Sequence, residues 1–309
     1  MTDARAAAER RLGAGAVPPE ILRQVKRIEL RTRGLVNSRF VGEYHSVFKG
    51  MGMEFAEVRE YQPGDEVRTI DWNVSARMRR LFVKRFVEER ELTVLLLVDC
   101  SGSSRGGAGD RDKQGVAAEL AAVLALTATR NNDRVGLLLY SDRVEHVVPP
   151  RKGRRHALRL VRDVLAWPSG ARGTDLGGAF DYAARLLSHR SIVFVLSDFV
   201  SGAIEKPLTR LSQRNDVVAV VLDDPAERAL PDAGVVRLVD AETGRLAEVD
   251  TSDAVVRARY AAAIQAERVA RQSLLRRLAV DEVLVPLERG YVDPLLQFFR
   301  KRETRARRR

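Results

Sequence analysis

From Leu92 onward, short unbroken apolar runs alternate with helix-length amphipathic or alanine-rich stretches. The runs Thr93 to Val98, Val135 to Tyr140, Ile192 to Leu196, Val217 to Leu222 and Val283 to Leu287 consist largely of Val, Leu and Ile. They lack the polar alternation of a half-exposed strand, so they predict strands buried on both faces. Between them the pattern predicts helices at about 113 to 130, 154 to 166, 175 to 188, 203 to 214 and 253 to 279. Strands alternating with helices make an α/β fold with a doubly wound, mostly parallel sheet. Arg143 to Val148 follows its neighbour after only Ser141 and Asp142, too short a link for a crossover, and is predicted as an antiparallel edge strand. Residues 235 to 250 read as a hairpin around Thr243-Gly244. The helix that Thr251 or Ser252 would cap carries Val256, Tyr260, Ile264, Leu274 and Leu278 toward one side.

The first 90 residues follow another pattern. A helix from Pro19 to about Arg33, with Ile21, Leu22, Val25 and Ile28 on one face, precedes glycine-punctuated sequence that includes the turn former Pro63-Gly64-Asp65. The pattern divides the chain into an N-terminal helix plus turn-rich module at 1–91, an α/β domain at 92–299 and a basic tail at 300–309, expected to be disordered.

With 309 residues, 45% of them hydrophobic, the chain can bury a sizeable core. No apolar run reaches the ~18 residues of a spanning helix, and the N-terminus MTDARAAAERR has no apolar signal-peptide core. These features predict a cytoplasmic protein. The single cysteine cannot form an internal disulfide. Of the net charge of +11, the ten residues RKRETRARRR contribute +6, seven basic residues against one acid, which leaves +5 for the other 299. A charge concentrated in one tail reads as a solvated end, and no zinc-finger spacing or aromatic RNA-binding strand accompanies it.

In an open parallel sheet, ligands collect at the carboxyl ends of the strands, where the strand order reverses. Three polar clusters fall there: Asp99, Ser101 and Ser103 after the first strand, Gly173-Thr174-Asp175 before a helix, and Ser197-Asp198 after Ile192 to Leu196. Acids and serines after a strand also cap helices and form turns. Their coincidence at several strand ends favours one shared site. Asp99, Ser101, Ser103, Thr174 and Asp198 would supply two carboxylates and three hydroxyls, an oxygen set suited to Mg2+, with Mn2+ as a substitute. Cys100 points the other way and reads as a small core residue.

These residues carry a resemblance. DCSGS with Thr174 and Asp198 resembles the metal-ion-dependent adhesion site of von Willebrand factor A-type domains, departing from it at Ser104, where methionine is frequent, and at Phe199, where glycine is frequent. Residues 50 to 104 resemble the signature of the domain-of-unknown-function family 58 through Gly52, Glu54-Phe55, Arg59, Tyr61, Pro63-Gly64-Asp65, Arg68, Ile70-Asp71-Trp72, Ser75-Ala76-Arg77, Val83-Lys84 and Glu88-Glu89-Arg90. VDTSDAVVRARY and VDPLLQFFRKR resemble that family's C-terminal part, so the likeness runs from about residue 40 to about residue 302. It implies a von Willebrand factor A-like fold in which a bound cation leaves one coordination position for a partner's carboxylate. It also implies partnership with a MoxR-type AAA+ ATPase and a client protein, in a chaperone-like or adaptor role. The charged signature residues are read as a network packing the small module against the sheet domain, with Trp72 as apolar anchor; the alternative makes the same face a docking surface.

Enzyme readings find little support. A haloacid-dehalogenase-like phosphatase needs a second acid where Ser101 stands, and a cysteine phosphatase needs arginine where Gly106 stands. GSSRGGAG lacks the Gly-Lys-Ser/Thr ending of a phosphate loop, and no G-x-S-x-G elbow is present. His45, His146, His156 and His189 have no ligand spacing among them. The expectation is a non-enzymatic, metal-dependent protein-interaction module. The competing expectation is a nucleic-acid- or anionic-surface-binding protein that works through the arginine tail.

Overall fold

The computed structural model describes residues 18–36, 40–48, 53–88, 91–105, 112–168, 173–240 and 244–307. Six strands form the central sheet: β3 (Thr93–Asp99), β4 (Arg134–Tyr140), β5 (Val144–Arg151), β6 (Ile192–Ser197), β7 (Asp216–Asp223) and β10 (Asp281–Pro286), in the order β10-β7-β6-β3-β4-β5. All neighbours are parallel except β4 and β5, so the doubly wound sheet and its antiparallel edge form as the apolar pattern predicts. β8 (Val235–Val239) and β9 (Leu246–Asp250) make the predicted hairpin.

Both faces of the sheet are covered, which is why β3 and β6 carry no alternation: every residue from Val94 to Val98 and from Ile192 to Leu196 is buried. On one face Val94, Leu96 and Val98 pack with α4 (Lys113–Arg130) and α5 (Arg154–Ala166). On the other, Leu95 and Leu97 meet α6 (Leu176–Leu186), α7 (Glu205–Arg214) and the end of α8 (Ala254–Arg277). Val256, Tyr260, Ile264 and Leu274 of α8, with Leu278 just after its end, share its half-buried side. Among the described residues no helix is long and apolar enough to cross a membrane.

The N-terminal helices belong to this core. α1 (Pro19–Leu35) lies over α4 and α5 and buries Val25 and Ile28, while α2 (Val41–Phe48) buries Tyr44 and Phe48 against the same cluster as β3 and β6. Helix α4 is apolar almost all round because α1 covers its outer side. The Tyr44 hydroxyl donates to Asp133 Oδ2 (3.0 Å), and the other Asp133 oxygen accepts Leu92 N (2.9 Å), which ties α2 to the turn before β4. Residues 18–36 and 40–48 therefore pack into the core of the sheet domain. The smaller module is the antiparallel hairpin β1 (Met53–Glu60) and β2 (Phe82–Glu88), with α3 (Trp72–Met78) inserted between its strands.

The expected disordered tail is corrected too. Residues 300–307 continue α9 (Val292–Arg307). Arg302 bonds Asp216 and Asp281, Arg305 bonds Asp281, and Arg300 bonds Glu43. A count of charges could not reveal that acids at the starts of β7 and β10 wait for these arginines.

Candidate functional site

The strand order reverses between β3 and β6, and their carboxyl ends carry the chemistry. Asp99 is the last residue of β3, and Asp198 follows Ser197, the last of β6. After β3 the chain turns at once: Ser101 N donates to Asp99 Oδ1 (2.9 Å), and Gly102–Arg105 form a short 3-10 helix. This turn, rather than the alternation of an extended segment, brings Ser101 Oγ to 3.0 Å from Ser103 Oγ. The departure at Ser104 has a local reason, because its buried hydroxyl closes the turn onto Ser101 O (2.7 Å). Cys100 faces the core, its Sγ against Tyr140 O, and burial pushes its thiol well above the usual range. It is no candidate nucleophile.

Ser197 joins the two strand ends. Its hydroxyl donates to Asp99 Oδ2 (2.9 Å) and accepts Phe199 N (3.0 Å). Phe199 stands at φ +61°, in the left-handed region that glycine enters without penalty, and its ring is buried in the core. The chain thus holds at Phe199 a backbone conformation for which glycine would be the unstrained residue. Asp198 Oδ1 accepts Val200 N (3.1 Å). Thr174 follows Gly173, whose φ of +96° suits glycine. Its loop is held from both sides: Asp175 N donates to Ser141 O at the end of β4 (2.7 Å), and Ser201 Oγ donates to Thr174 O (3.0 Å). Asp175 caps α6 through Gly178 N (2.8 Å). Asp99, Ser101, Ser103 and Asp198 are therefore neighbours through direct bonds and Ser197, and the backbone of Thr174 is pinned to the loop that follows Asp198.

The electrostatics are uneven. Burial, reinforced by the nearby charge of Asp198, pushes Asp99 up to about 6 despite its hydrogen bonds from Ser101 and Ser197. Asp198 does have a cation: Lys113, 2% exposed at the start of α4, donates to its Oδ2 (2.9 Å) and to both carboxylate oxygens of Glu227 (2.7 and 2.9 Å). Burial works against the Lys113 charge, but Asp198 and Glu227 outweigh it and its pKa rises. Burial raises Glu227, with Lys113 opposing and Asp198 adding to the rise. Two carboxylates, those of Asp198 and Glu227, share one ammonium, and the charge of Asp99 lies near that of Asp198. Among the described residues no three His, Cys, Asp or Glu side chains gather in metal-ligating geometry. A cation here would depend on the hydroxyls, and a buried carboxylate beside paired hydroxyls fits a hard ion such as Mg2+ or Mn2+. Beside Asp198 a cavity of about 380 Å³ opens between the β6 and β7 ends and α8, lined by Phe199, Ile204, Glu227, Arg268 and Leu274.

The signature residues fold the hairpin. Arg59 grips Asp65 with two bonds (2.8 and 2.6 Å), and Asp65 accepts Gln62 N (2.8 Å) across the turn of Pro63 and Gly64, the latter at φ +110°. Tyr61 N donates to Leu81 O (2.8 Å). Asp71 caps α3 through Asn73 N and Val74 N and pairs with Lys84 (3.5 Å). These bonds are internal to the hairpin. Trp72 is 64% exposed, and Arg68 and Arg77 are exposed, which corrects the expected anchoring against the sheet domain: Trp72 opens α3 on its outer side. Glu88 has no described side chain, and Gly52, Glu89 and Arg90 lie outside the described residues.

Sequence reasoning missed Lys113, Glu227 and the bridging role of Ser197. A signal existed for Glu227: LDDPAE after β7 is one more acid-rich turn at a strand end. Lys113, beside Asp112, looked like an ordinary helix start. Of the histidines, His146 stacks on Trp167 (5.0 Å) and faces Asp163 (3.2 Å), and His156 Nε2 lies 2.9 Å from Val135 O.

Comparison with known proteins gives the chain its relatives. The family model described as "Protein of unknown function DUF58" matches residues 57–270. Uncharacterized protein Rv1480 of Mycobacterium tuberculosis is 30% identical over 293 residues, 93% of this chain and 92% of its own length. Uncharacterized protein YeaD of Bacillus subtilis is 46% identical over 44 residues, 14% of this chain and 11% of its own. Among solved structures, conserved hypothetical protein BatB from Bacteroides thetaiotaomicron is similar with a TM-score of 0.47 and 15% identity, covering 69% of this chain and 99% of that one. The SpRpn10 VWA domain scores 0.38 with 14% identity, covering 66% and 94%. Likenesses this distant carry no functional argument, and the architecture rests on the strand order itself. With a family model over more than half its length and a relative matched almost end to end, the chain belongs to the DUF58 family.

Proposed function

We propose that this chain is a metal-dependent protein-interaction module. Asp99, Ser101, Ser103, Thr174 and Asp198 would hold a Mg2+ ion, or Mn2+ in its place. When bound, the ion would supply a positive charge and an open position for a partner's carboxylate. The observation that carries this reading is Asp99: a carboxylate buried at the topological switch point, beside another acid and beside two hydroxyls 3.0 Å apart. Burying a carboxylate against a like charge is unfavourable, and such sites are kept where a cation or a function uses them. The protein's own part is orientation. Ser197 and Ser101 N aim Asp99, Val200 N aims Asp198, and the Ser201 link fixes the threonine loop.

The family resemblance supports a MoxR-type AAA+ ATPase as the partner, with a client protein presented between them. A binding reading also suits the buried thiol of Cys100 and the packing contacts of His146 and His156. Arg300, Arg302 and Arg305 of the basic run pair with the chain's own acids, which weighs toward the metal-site reading over the arginine-tail one. The test is direct binding of the purified chain to a purified MoxR-type ATPase from the same genome. An ATPase needs Mg2+ itself, so the deciding arm is a variant rather than a chelator: Asp99→Ala must lose binding while the fold, followed by circular dichroism, stays. Equal binding by Asp99→Ala would refute the mechanism.

A further inference from the structure

Lys113 stands where burial and the helix dipole both disfavour a cation. It is the first residue of the 18-residue helix α4, where the helix dipole repels a cation, and it is 2% exposed. Asp112 caps the helix through Gly115 N (2.8 Å) and so fixes the backbone from which Lys113 reaches Asp198. An ammonium has three N–H donors. All three are used, one on Asp198 Oδ2 and two on the Glu227 carboxylate.

The two acids hold the lysine differently. The Asp198 side chain is 9% exposed and is fixed at its other oxygen by Val200 N. The Glu227 side chain is 47% exposed, while its backbone is anchored by Tyr260, whose hydroxyl donates to Glu227 O (3.0 Å). Glu227 can follow the ammonium outward, and Asp198 cannot. A divalent cation on Asp198 with Lys113 still 2.9 Å from the same carboxylate would crowd three positive charges into a space of a few ångströms. At an effective interior dielectric that repulsion is large.

We propose that Lys113 is an intramolecular competitor for the divalent cation, holding Asp198 in the metal-free chain and passing wholly to Glu227 when the metal loads. The inference rests on the cation-binding reading given above. It makes loading of the site a two-position exchange of one side chain, and it assigns Glu227 as the arm that receives the displaced charge.

Mn2+ binding, measured by the disappearance of the free-ion paramagnetic resonance signal, tests this with wild type, Lys113→Met, Lys113→Arg, Glu227→Gln and Asp99→Ala. Removing the competing charge should tighten Mn2+ binding about tenfold or more in Lys113→Met, whereas Lys113→Arg should stay near wild type. Glu227→Gln should bind more weakly, because the displaced ammonium then has no acid to receive it. Lys113→Met binding as wild type or more weakly, with binding abolished in Asp99→Ala, overturns the competition and leaves the metal site standing. Absence of binding in every form, Lys113→Met included, overturns both. If Lys113→Met does not fold, lysine-labelled wild-type protein gives the answer: the buried Lys113 ammonium resonance should move as Mg2+ saturates Asp99 and its neighbours. A resonance unchanged through saturation overturns the exchange.

Discussion

Replacing Arg302 by alanine should cost this protein more stability than its place in a basic C-terminal run would suggest. The Arg302 side chain is 16% exposed. Its guanidinium donates to both oxygens of Asp216 (2.7 and 2.6 Å) at the start of β7 and to Asp281 (2.6 Å) at the start of β10. It also lies over the rings of Phe48 (5.4 Å) and Phe298 (5.1 Å). Asp281 shows the coupling: burial would raise its carboxyl, but Arg302 and Arg305 together bring it below the usual range. Alanine would leave two carboxylates, 14% and 23% exposed, near each other without this cation. Removing one partner of a buried pair costs about 3–5 kcal/mol. Partial exposure of both acids trims that, and lost cation–π contact adds about 0.5–1 kcal/mol, so the expected loss is about 3 kcal/mol. The assay is urea unfolding followed by circular dichroism, compared at equal m-value. Arg305→Ala serves as control, because Arg305 is 56% exposed and its pair should be worth under about 1 kcal/mol. A loss in Arg302→Ala no greater than in Arg305→Ala would refute the claim that Arg302 fastens the end of α9 to β7 and β10. The same geometry warns against deleting residues 300–309 to test binding, since that deletion removes Arg302.

Other expectations follow from single sites. Asp99→Asn should stabilise the metal-free chain at pH 7 by up to about 3 kcal/mol, the worth of a shift from 3.8 to about 6. Because the folded pKa is the higher one, the wild-type penalty is full above about pH 6 and gone below about pH 4, so the gain must fade as pH falls through that window; a gain or loss constant with pH would contradict the burial argument. Tyr44→Phe deletes the bond to Asp133 and should cost about 1–3 kcal/mol, and a change below about 0.5 kcal/mol in urea unfolding would show that α2 is not held there. Trp72→Ala should alter stability by no more than about 0.5 kcal/mol. In Trp167→Phe protein, the remaining Trp72 fluorescence should be quenched by acrylamide almost as in free indole, whereas Trp167 in Trp72→Phe protein, 3% exposed, should resist.

Much of the sheet could be read along the chain because burial on both faces demands unbroken Val, Leu and Ile, and that demand is local. Thr93 to Val98 and Ile192 to Leu196 needed no partner to be recognised as strands. Asp99 and Asp198 were readable for a related reason: in a doubly wound sheet the residue after a central strand emerges at the switch point whatever the rest of the chain does. The hairpin signature was readable as a motif but not as a place. Arg59 and Asp65 find each other six positions apart, yet nothing local says that Trp72 faces outward.

What stayed hidden depends on residues far apart in sequence. Lys113 meets Glu227 across 114 positions and Asp198 across 85, and no periodicity encodes such a meeting. The arginines of 300–305 looked like solvated charge because composition counts ions without pairing them. Likewise α1 looked like part of a flanking module because an amphipathic face announces that it needs a partner without naming one, and α2 was hidden in sequence that reads as turns. The sequence by itself determined the strands of the central sheet, the helices between them, the sheet class and the acids and serines at the strand ends, all products of short-range pattern and of the chirality of strand crossovers. Only the tertiary structure decided which charges are neutralised: a charge's effect depends on distance, burial and the opposite charge beside it, and those exist only once the chain has closed on itself.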